Sequence, residues 1–345
     1  MTEIVSIAIS TTVIVRMLAL SFLSFLLSML ITPIYTTAAY RYKWWKKPRT
    51  DAWNGGAAKV YQKLHAAKHT RNIPTMAGLI FVATTAIVTV LFNLQRSQTW
   101  LPLAGMVGAG LVGLADDWLN INSHGGAAGM RAKIKFLLYS MVALVGGWWF
   151  YAKLDITSIY IPGIEQWQVG IFIIPIFWFV VVATANSVNI SDGLDGLAGG
   201  LLTSSFAAYA MISVLQGKYA LAGFCLTVVG ALLSYTWFNV HPARFFMGDV
   251  GAFALGTALG TIALLTDTVY VLPIIGAVYV METASVIINR ASRKLRHGKK
   301  VFLSSPIHHH FEAMGWPETK VTMRFWILGQ VSAVIGLAVY LLGRG

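Results

Sequence analysis

Residues 169–215 read VGIFIIPIFWFVVVATANSVNISDGLDGLAGGLLTSSFAAYAMISVL, and this stretch decides the fold. Val169 to Ala185 carries no charge, and neither does Leu197 to Leu215. Between them, Asn186 to Gly196 holds two carboxylates and two carboxamides. As helices rising about 1.5 Å per residue, the flanking runs approach the roughly 30 Å of a bilayer core. The polar segment therefore sits where a membrane helix meets water. Carboxylates and amides at that depth need partners, because burying one unpaired costs several kcal/mol. A solvated loop in which Asp192 and Asp195 cap a helix accounts for the segment equally well. Other acids at the same depth decide between the two readings.

Working outward, apolar runs of roughly the same length recur from end to end. The 345 residues are 57% hydrophobic and 11% charged, with a mean hydropathy of +0.67. This predicts an all-α polytopic membrane protein, a single integral-membrane domain over 1–345 with about ten transmembrane helices. The expected spans lie near 4–34, 75–95, 100–115, 134–151, 169–185, 197–215, 219–239, 251–266, 269–289 and 325–342. The first apolar run is too long for the core of a cleavable signal and lacks a small-residue cleavage site after it. The single cysteine, Cys225, excludes an intramolecular disulfide framework, leaving helix packing to hold the fold. Leu154 to Gln168 reads as a short external hairpin.

With these spans the basic residues segregate. Arg41 to Arg71 carries nine Lys/Arg, Trp118 to Lys135 three, His241 to Gly248 one and Arg290 to Arg324 eight, whereas the alternate loops hold only Arg96, Lys153 and Lys218. The positive-inside rule makes the basic loops cytoplasmic and, with an even span count, puts both termini outside. Topology thus explains much of the +13 charge, and no nucleic-acid-binding module is recognisable.

Five acids then fall on the cytoplasmic side at expected helix ends: Asp116 and Asp117 closing the third span, Asp192 and Asp195, and Asp249 just before the eighth. The external acids, Glu3, Asp155, Glu165 and Asp267, show no recurring pattern. Such hard oxygen ligands suit Mg²⁺, which takes one or two carboxylates together with water and substrate phosphates. Zinc is disfavoured: adjacent histidines in His308-His309-His310 cannot all face one metal, and the single cysteine, Cys225, lies in a distant apolar run. That run is either a solvated loop or a source of imidazoles for a phosphoryl group. Arg131 and Lys133 are phosphate-binding candidates or simple cytoplasmic anchors. Glu282, inside the ninth span, calls for a paired or functional role. A secondary transporter lined by acids is the rival from another class. It would place ionisable groups near the midplane of paired, interrupted helices, and no inverted repeat of that kind is evident.

Asp116-Asp117-Trp118, the run Asn186 to Ala198, Phe246-Met-Gly-Asp-Val-Gly251 and Pro306-Ile-His-His-His-Phe-Glu312 together resemble the signature loops of the phospho-N-acetylmuramoyl-pentapeptide transferases. These belong to the polyprenyl-phosphate sugar-1-phosphate transferases of bacterial cell-wall synthesis. The likeness extends over nearly the whole chain and includes Pro74-Thr75-Met76 and Arg324-Phe325-Trp326. It implies ten transmembrane helices in the bacterial plasma membrane, a cytoplasmic site, Mg²⁺ dependence and a homodimer. The implied reaction moves phospho-MurNAc-pentapeptide from its UDP carrier to undecaprenyl phosphate, giving lipid I and UMP. A sister transferase using a UDP-N-acetylhexosamine without peptide is the nearer alternative. By motif, Asp116, Asp117, Asp249, His308 and His309 correspond to catalytic positions, with Asp249 as the metal ligand. Asn189, Asp192, Gly193, Asp195 and Phe246 correspond to a uridine pocket in which Phe246 stacks on the base. Lys133, Thr75, Asn289 and His310 complete the implied substrate-binding set. Some positions depart from the family pattern. Asn120 stands where a lysine is common, Asn289 where glutamine is, Asn72-Ile73 precedes Pro74 in place of Gly-Thr, and the first cytoplasmic loop, 40–73, is long.

Overall fold

The computed structural model describes residues 10–45, 72–122, 129–163 and 165–343. The architecture is all-α. In chain order the helices are α1 (Thr11–Arg41), α2 (Gly78–Phe92), α3 (Trp100–Asn122), α4 (Ala132–Leu154), α5 (Ile173–Ser191), α6 (Leu197–Leu215), α7 (Tyr219–Asn239), α8 (Gly248–Leu265), α9 (Leu272–Ile275), α10 (Ala277–Leu295), α11 (Ile307–Ala313) and α12 (Glu318–Gly343). Seven of the described helices, α1, α4, α5, α6, α7, α8 and α12, are long and apolar enough to cross a membrane. Strands β1 (Ser158–Ile161) and β2 (Glu165–Gln168) form the expected hairpin, with Ser158 opposite Gln168. Asp267 ties it down by accepting from the Tyr160 N–H at 2.8 Å and the Gln166 amide at 2.7 Å.

The bundle is built around α8, in which every residue except Asp249 is buried. Helices α3, α5 and α2 pack against it, while α1 packs on α7 and α12 on α6. Helix α8 can be central because it is uncharged beyond Asp249 and rich in Gly and Ala, so neighbours approach closely without leaving cavities. At one crossing a Cβ on Gly113 of α3 would lie 2.5 Å from the Asp249 carbonyl carbon, so only glycine lets α3 pass. The outer helices look different. On α1 the buried residues Met17, Leu20, Ser24, Ser28, Thr32, Tyr35 and Ala39 form one stripe, while Leu18, Phe22, Leu30 and Ile34 are exposed. In water an apolar face of that kind would be costly; in lipid it is the resting state.

Several boundaries depart from the expected ones, and two of the departures move acids and amides of the expected site into helices. Helix α3 runs on to Asn122, so Asp116 and Asp117 lie within it instead of ending a short span. Helix α5 continues to Ser191, which puts Asn186 and Asn189 on its last turns. The expected ninth span is broken at Gly276 into α9 and α10.

Candidate active site

Helix α3 does not stop at its acids because other segments satisfy them. Asp116 accepts from the Met130 N–H at 2.6 Å, from the Asn120 amide at 3.3 Å and from the Lys135 ammonium at 3.0 Å. Asp117, fully buried, accepts from the Val250 N–H at 3.2 Å. That N–H belongs to the first turn of α8, whose own N-terminus carries no side-chain cap. Asp117 thus caps α8 from a neighbouring helix, a role worth about 0.5–2 kcal/mol when a local residue fills it, and its charge complements the positive end of the α8 dipole. Gly248, with φ +69°, completes the turn. A side chain there would meet the Asp117 carboxylate at 2.3 Å and the Thr75 hydroxyl at 2.8 Å.

Asp249 follows on that same first turn. Its Oδ1 accepts from the Asn189 amide at 3.1 Å, and its Oδ2 pairs with the Lys135 ammonium. Lys135 therefore bridges Asp116 and Asp249, with Nζ also 5.0 Å from the centroid of the Phe253 ring. Three carboxylates and one ammonium leave an excess of negative charge at one end of the bundle. The side chains of Lys135 and Asp249 remain 22% and 14% exposed, so the cluster can be reached. An oxygen-only donor set whose carboxylates already gather around a cation matches the chemistry of Mg²⁺.

A second acidic cluster lies where α12 starts. The Asp195 carboxylate accepts from the Ala243 N–H at 3.1 Å and approaches His241 Nδ1 at 3.0 Å. Glu318 accepts the Asp195 N–H at 2.7 Å and lies 3.5 Å from the same imidazole nitrogen. The ligand atoms of Asp195, His241 and Glu318 lie within 4.8 Å of one another. That spacing could hold a metal, but these carboxylates are already engaged by backbone N–H groups and by a histidine.

The remaining candidates divide by what holds them. Thr75 is buried, its N–H donating to the Trp44 carbonyl at 2.7 Å. Phe246 is half-buried, bonded through its N–H to Pro74 at 2.8 Å. Asp192 and Gly193 are half-buried between α5 and α6. The Asn289 side chain is spent on backbone, taking the Val301 and Phe302 N–H groups at 3.0 and 2.9 Å and donating to the Phe302 carbonyl at 3.2 Å. The three adjacent histidines have three different neighbours. His308 is fully buried, with Nδ1 2.9 Å from Glu282. His309 Nδ1 is 2.6 Å from Glu312, and His310 Nδ1 accepts from the Leu303 N–H at 3.2 Å. Burial, and then the adjacent His308, hold the His309 imidazole below its ordinary pKa against the opposing pull of Glu312.

Lys133 is exposed on the first turn of α4, and it is Lys135 that reaches the acids. Burial on the helix separates the two lysines, which the sequence alone does not. Tyr139 and Ala143, both buried, lie four and eight residues beyond Lys135 on the same helix face, whereas Lys133 shares its face with the exposed Phe136 and Leu137. His241 and Glu318 gave no signal either, since only the fold brings them to Asp195.

The bundle with its acidic cluster at one end takes its class from its relatives: it is a membrane phosphoglycosyl transferase. Residues 99–267, which include all five aspartates of that expectation, match the model of Glycosyl transferase family 4. The chain is 36% identical over 341 residues to the phospho-N-acetylmuramoyl-pentapeptide-transferase of Chloroflexus aurantiacus, covering 95% of this chain and 90% of the relative. It is 35% identical to that of Geobacillus thermodenitrificans, covering 91% and 94%, and 42% identical to that of Heliobacterium modesticaldum, covering 76% and 82%. The chain belongs to the phospho-N-acetylmuramoyl-pentapeptide-transferase family.

Proposed function

We propose that this protein transfers phospho-MurNAc-pentapeptide from its UDP carrier to undecaprenyl phosphate, forming lipid I and UMP for peptidoglycan synthesis. It acts at the cytoplasmic face of the bacterial plasma membrane, with both termini outside, and as a homodimer. The observation that carries the reading is Asp249, the one residue of an otherwise buried central helix that is left partly exposed, set beside Asp116 and Lys135.

An acceptor phosphate oxygen attacks the β-phosphorus of the donor in line. The new P–O bond forms as the bond to the bridging oxygen breaks, and UMP departs with that electron pair. The second pKa of a phosphomonoester lies near 6, so the acceptor is already largely dianionic at neutral pH. Charge neutralisation and alignment then matter more than a strong base. Asp249, with Asp116 beside it, would hold Mg²⁺, which when bound neutralises the pyrophosphate and the departing UMP. Asn189 fixes the Asp249 carboxylate, and Asp117 fixes the turn from which Asp249 projects. Lys135 keeps two carboxylates close enough to serve one site. Asp192, Gly193 and Phe246 line the uridine pocket, with Phe246 stacking on the base, and the buried Asp195 holds the loop behind it.

The test is UMP release by purified protein given undecaprenyl phosphate, Mg²⁺ and either UDP-MurNAc-pentapeptide or UDP-N-acetylglucosamine. Release from the muramoyl donor alone is expected. Release from the acetylglucosamine donor alone would assign the sister activity, and release from neither would overturn the reading.

A further inference from the structure

Below the acidic site the same helices meet a second time. Asp249 and Phe253 stand on α8, Lys135 and Tyr139 on α4, and Asn189 and Ala185 on α5, in each pair four residues and so about one turn apart. Phe253, Tyr139 and Ala185 are buried together with Ala109, seven residues before Asp116 on α3, in a small cluster separate from the main core. That cluster is the floor of the site. In it the Tyr139 and Phe253 rings stack, their centroids 3.9 Å apart and their planes 14° from parallel.

Among these four buried residues Tyr139 alone carries a polar side-chain atom. It is 5% exposed, and its hydroxyl has no hydrogen-bond partner among the described residues. Burying a hydroxyl unpaired is costly, so the position calls for an acceptor. Helical side chains lean toward the N-terminus of their helix, and α4 begins beside Lys135, so the phenol is directed up from the floor toward the acids. It lies within electrostatic reach of Asp249, Asp116 and Asp117 without bonding to any of them. Its apolar neighbours offer no lone pair. Neither the Lys135 ammonium nor a divalent cation can accept its hydrogen bond, whereas a phosphate oxygen can.

We propose that the Tyr139 hydroxyl is a further substrate contact of the acidic site, donating a hydrogen bond to a phosphate oxygen of a substrate bound there. That the phosphate belongs to a nucleotide donor or a polyprenyl acceptor rests on the function proposed above. The contact itself does not, so one readout must stand apart from turnover.

Tyr139→Phe keeps the ring on Phe253 and removes only the oxygen. In detergent its ligand-free thermal midpoint should equal or exceed that of wild type, because a hydroxyl without a partner adds no stability. Mg²⁺ with inorganic pyrophosphate, and separately undecaprenyl phosphate, should raise the wild-type midpoint, and at least one of these rises should shrink in the variant. Pyrophosphate represents the donor and undecaprenyl phosphate the acceptor, so the rise that shrinks names the phosphate. UMP release by the variant should fall by about tenfold or more, as expected for losing a hydrogen bond to a charged group. A variant that fails to fold, or melts well below wild type without ligand, overturns the proposal, since the hydroxyl would then be structural. So do rises that are absent from wild type or equal in the two proteins, and so does near-normal turnover. If wild type released no UMP from either nucleotide sugar while a rise still shrank in the variant, the transferase reading would fail and the contact would stand.

Discussion

Two acidic clusters within one bundle have been given different partners. Around α8, Asp116 and Asp249 share the ammonium of Lys135, which is partly open to solvent. Around α10 to α12, each carboxylate has a histidine: Asp195 and Glu318 meet His241, Glu282 meets His308, and Glu312 meets His309. A lysine is a point charge on a flexible stem and can yield its place to another cation. A histidine can sit neutral between fixed partners and hold geometry. The lysine-bridged region is therefore suited to a reaction in which charge changes hands, and the histidine-paired region to keeping loops in place.

The most severe way to break this comparison is to remove charge from the first cluster. Asp249→Asn keeps the size of the side chain and an oxygen for Asn189, but it removes the charge that would hold the proposed Mg²⁺. We expect a folded, membrane-inserted protein whose UMP release is reduced by at least about 10²-fold, comparable to losing one preorganised electrostatic contact, together with weaker Mg²⁺ binding. Near-normal turnover at ordinary Mg²⁺ would show that Asp249 serves only as a partner for Asn189 and Lys135.

The two clusters also differ in how legible they were. The aspartates of the first could be read because each interrupts or borders an apolar run, and uncharged stretches of this length in a 57% hydrophobic chain have few structural meanings. Helix ends were misread for the same reason. A carboxylate at the close of an apolar run looks like a boundary, but Asp116 and Asp117 are carried inside α3 by the Met130 and Val250 N–H groups, which sequence alone does not place. In the second cluster, Asp195, His241 and Glu318 come from three distant segments, so no spacing rule could group them. Asn289 looked like a substrate contact, yet its amide is taken up by the 301–302 backbone.

Lys135 offers a sharper and smaller test, because Lys133 stands only two residues away on the exposed face. Lys135→Met should lower turnover by about ten- to a hundredfold, the range found when a supporting partner of a metal site is lost. The Mg²⁺ concentration giving half-maximal rate should also fall, since the ammonium no longer competes for the carboxylates. Lys133→Met should leave both quantities near wild type. If the two variants exchanged these outcomes, the bridge seen between Asp116 and Asp249 would not be the working arrangement, and the phosphate contact would revert to Lys133.

The smallest expected effect belongs to the histidine-paired region and concerns stability. His309 is held below its ordinary imidazole pKa chiefly by burial, with His308 adding to the shift and Glu312 and Glu282 opposing it. The unfolded chain, with its imidazole near 6.5, therefore takes up a proton at a higher pH than the folded protein does. The associated stability is fully present above about pH 6.5 and is lost progressively as the pH falls toward the depressed folded-state value. Lysine does not titrate in this interval, so Lys135 contributes no such slope. Thermal midpoints in detergent at pH 7.5 and pH 5 should thus fall further for wild type than for His309→Gln, which has nothing to protonate. If the variant lost as much on acidification as wild type, the pH dependence would have to come from other groups, and His309 would be held by Glu312 as firmly when charged as when neutral.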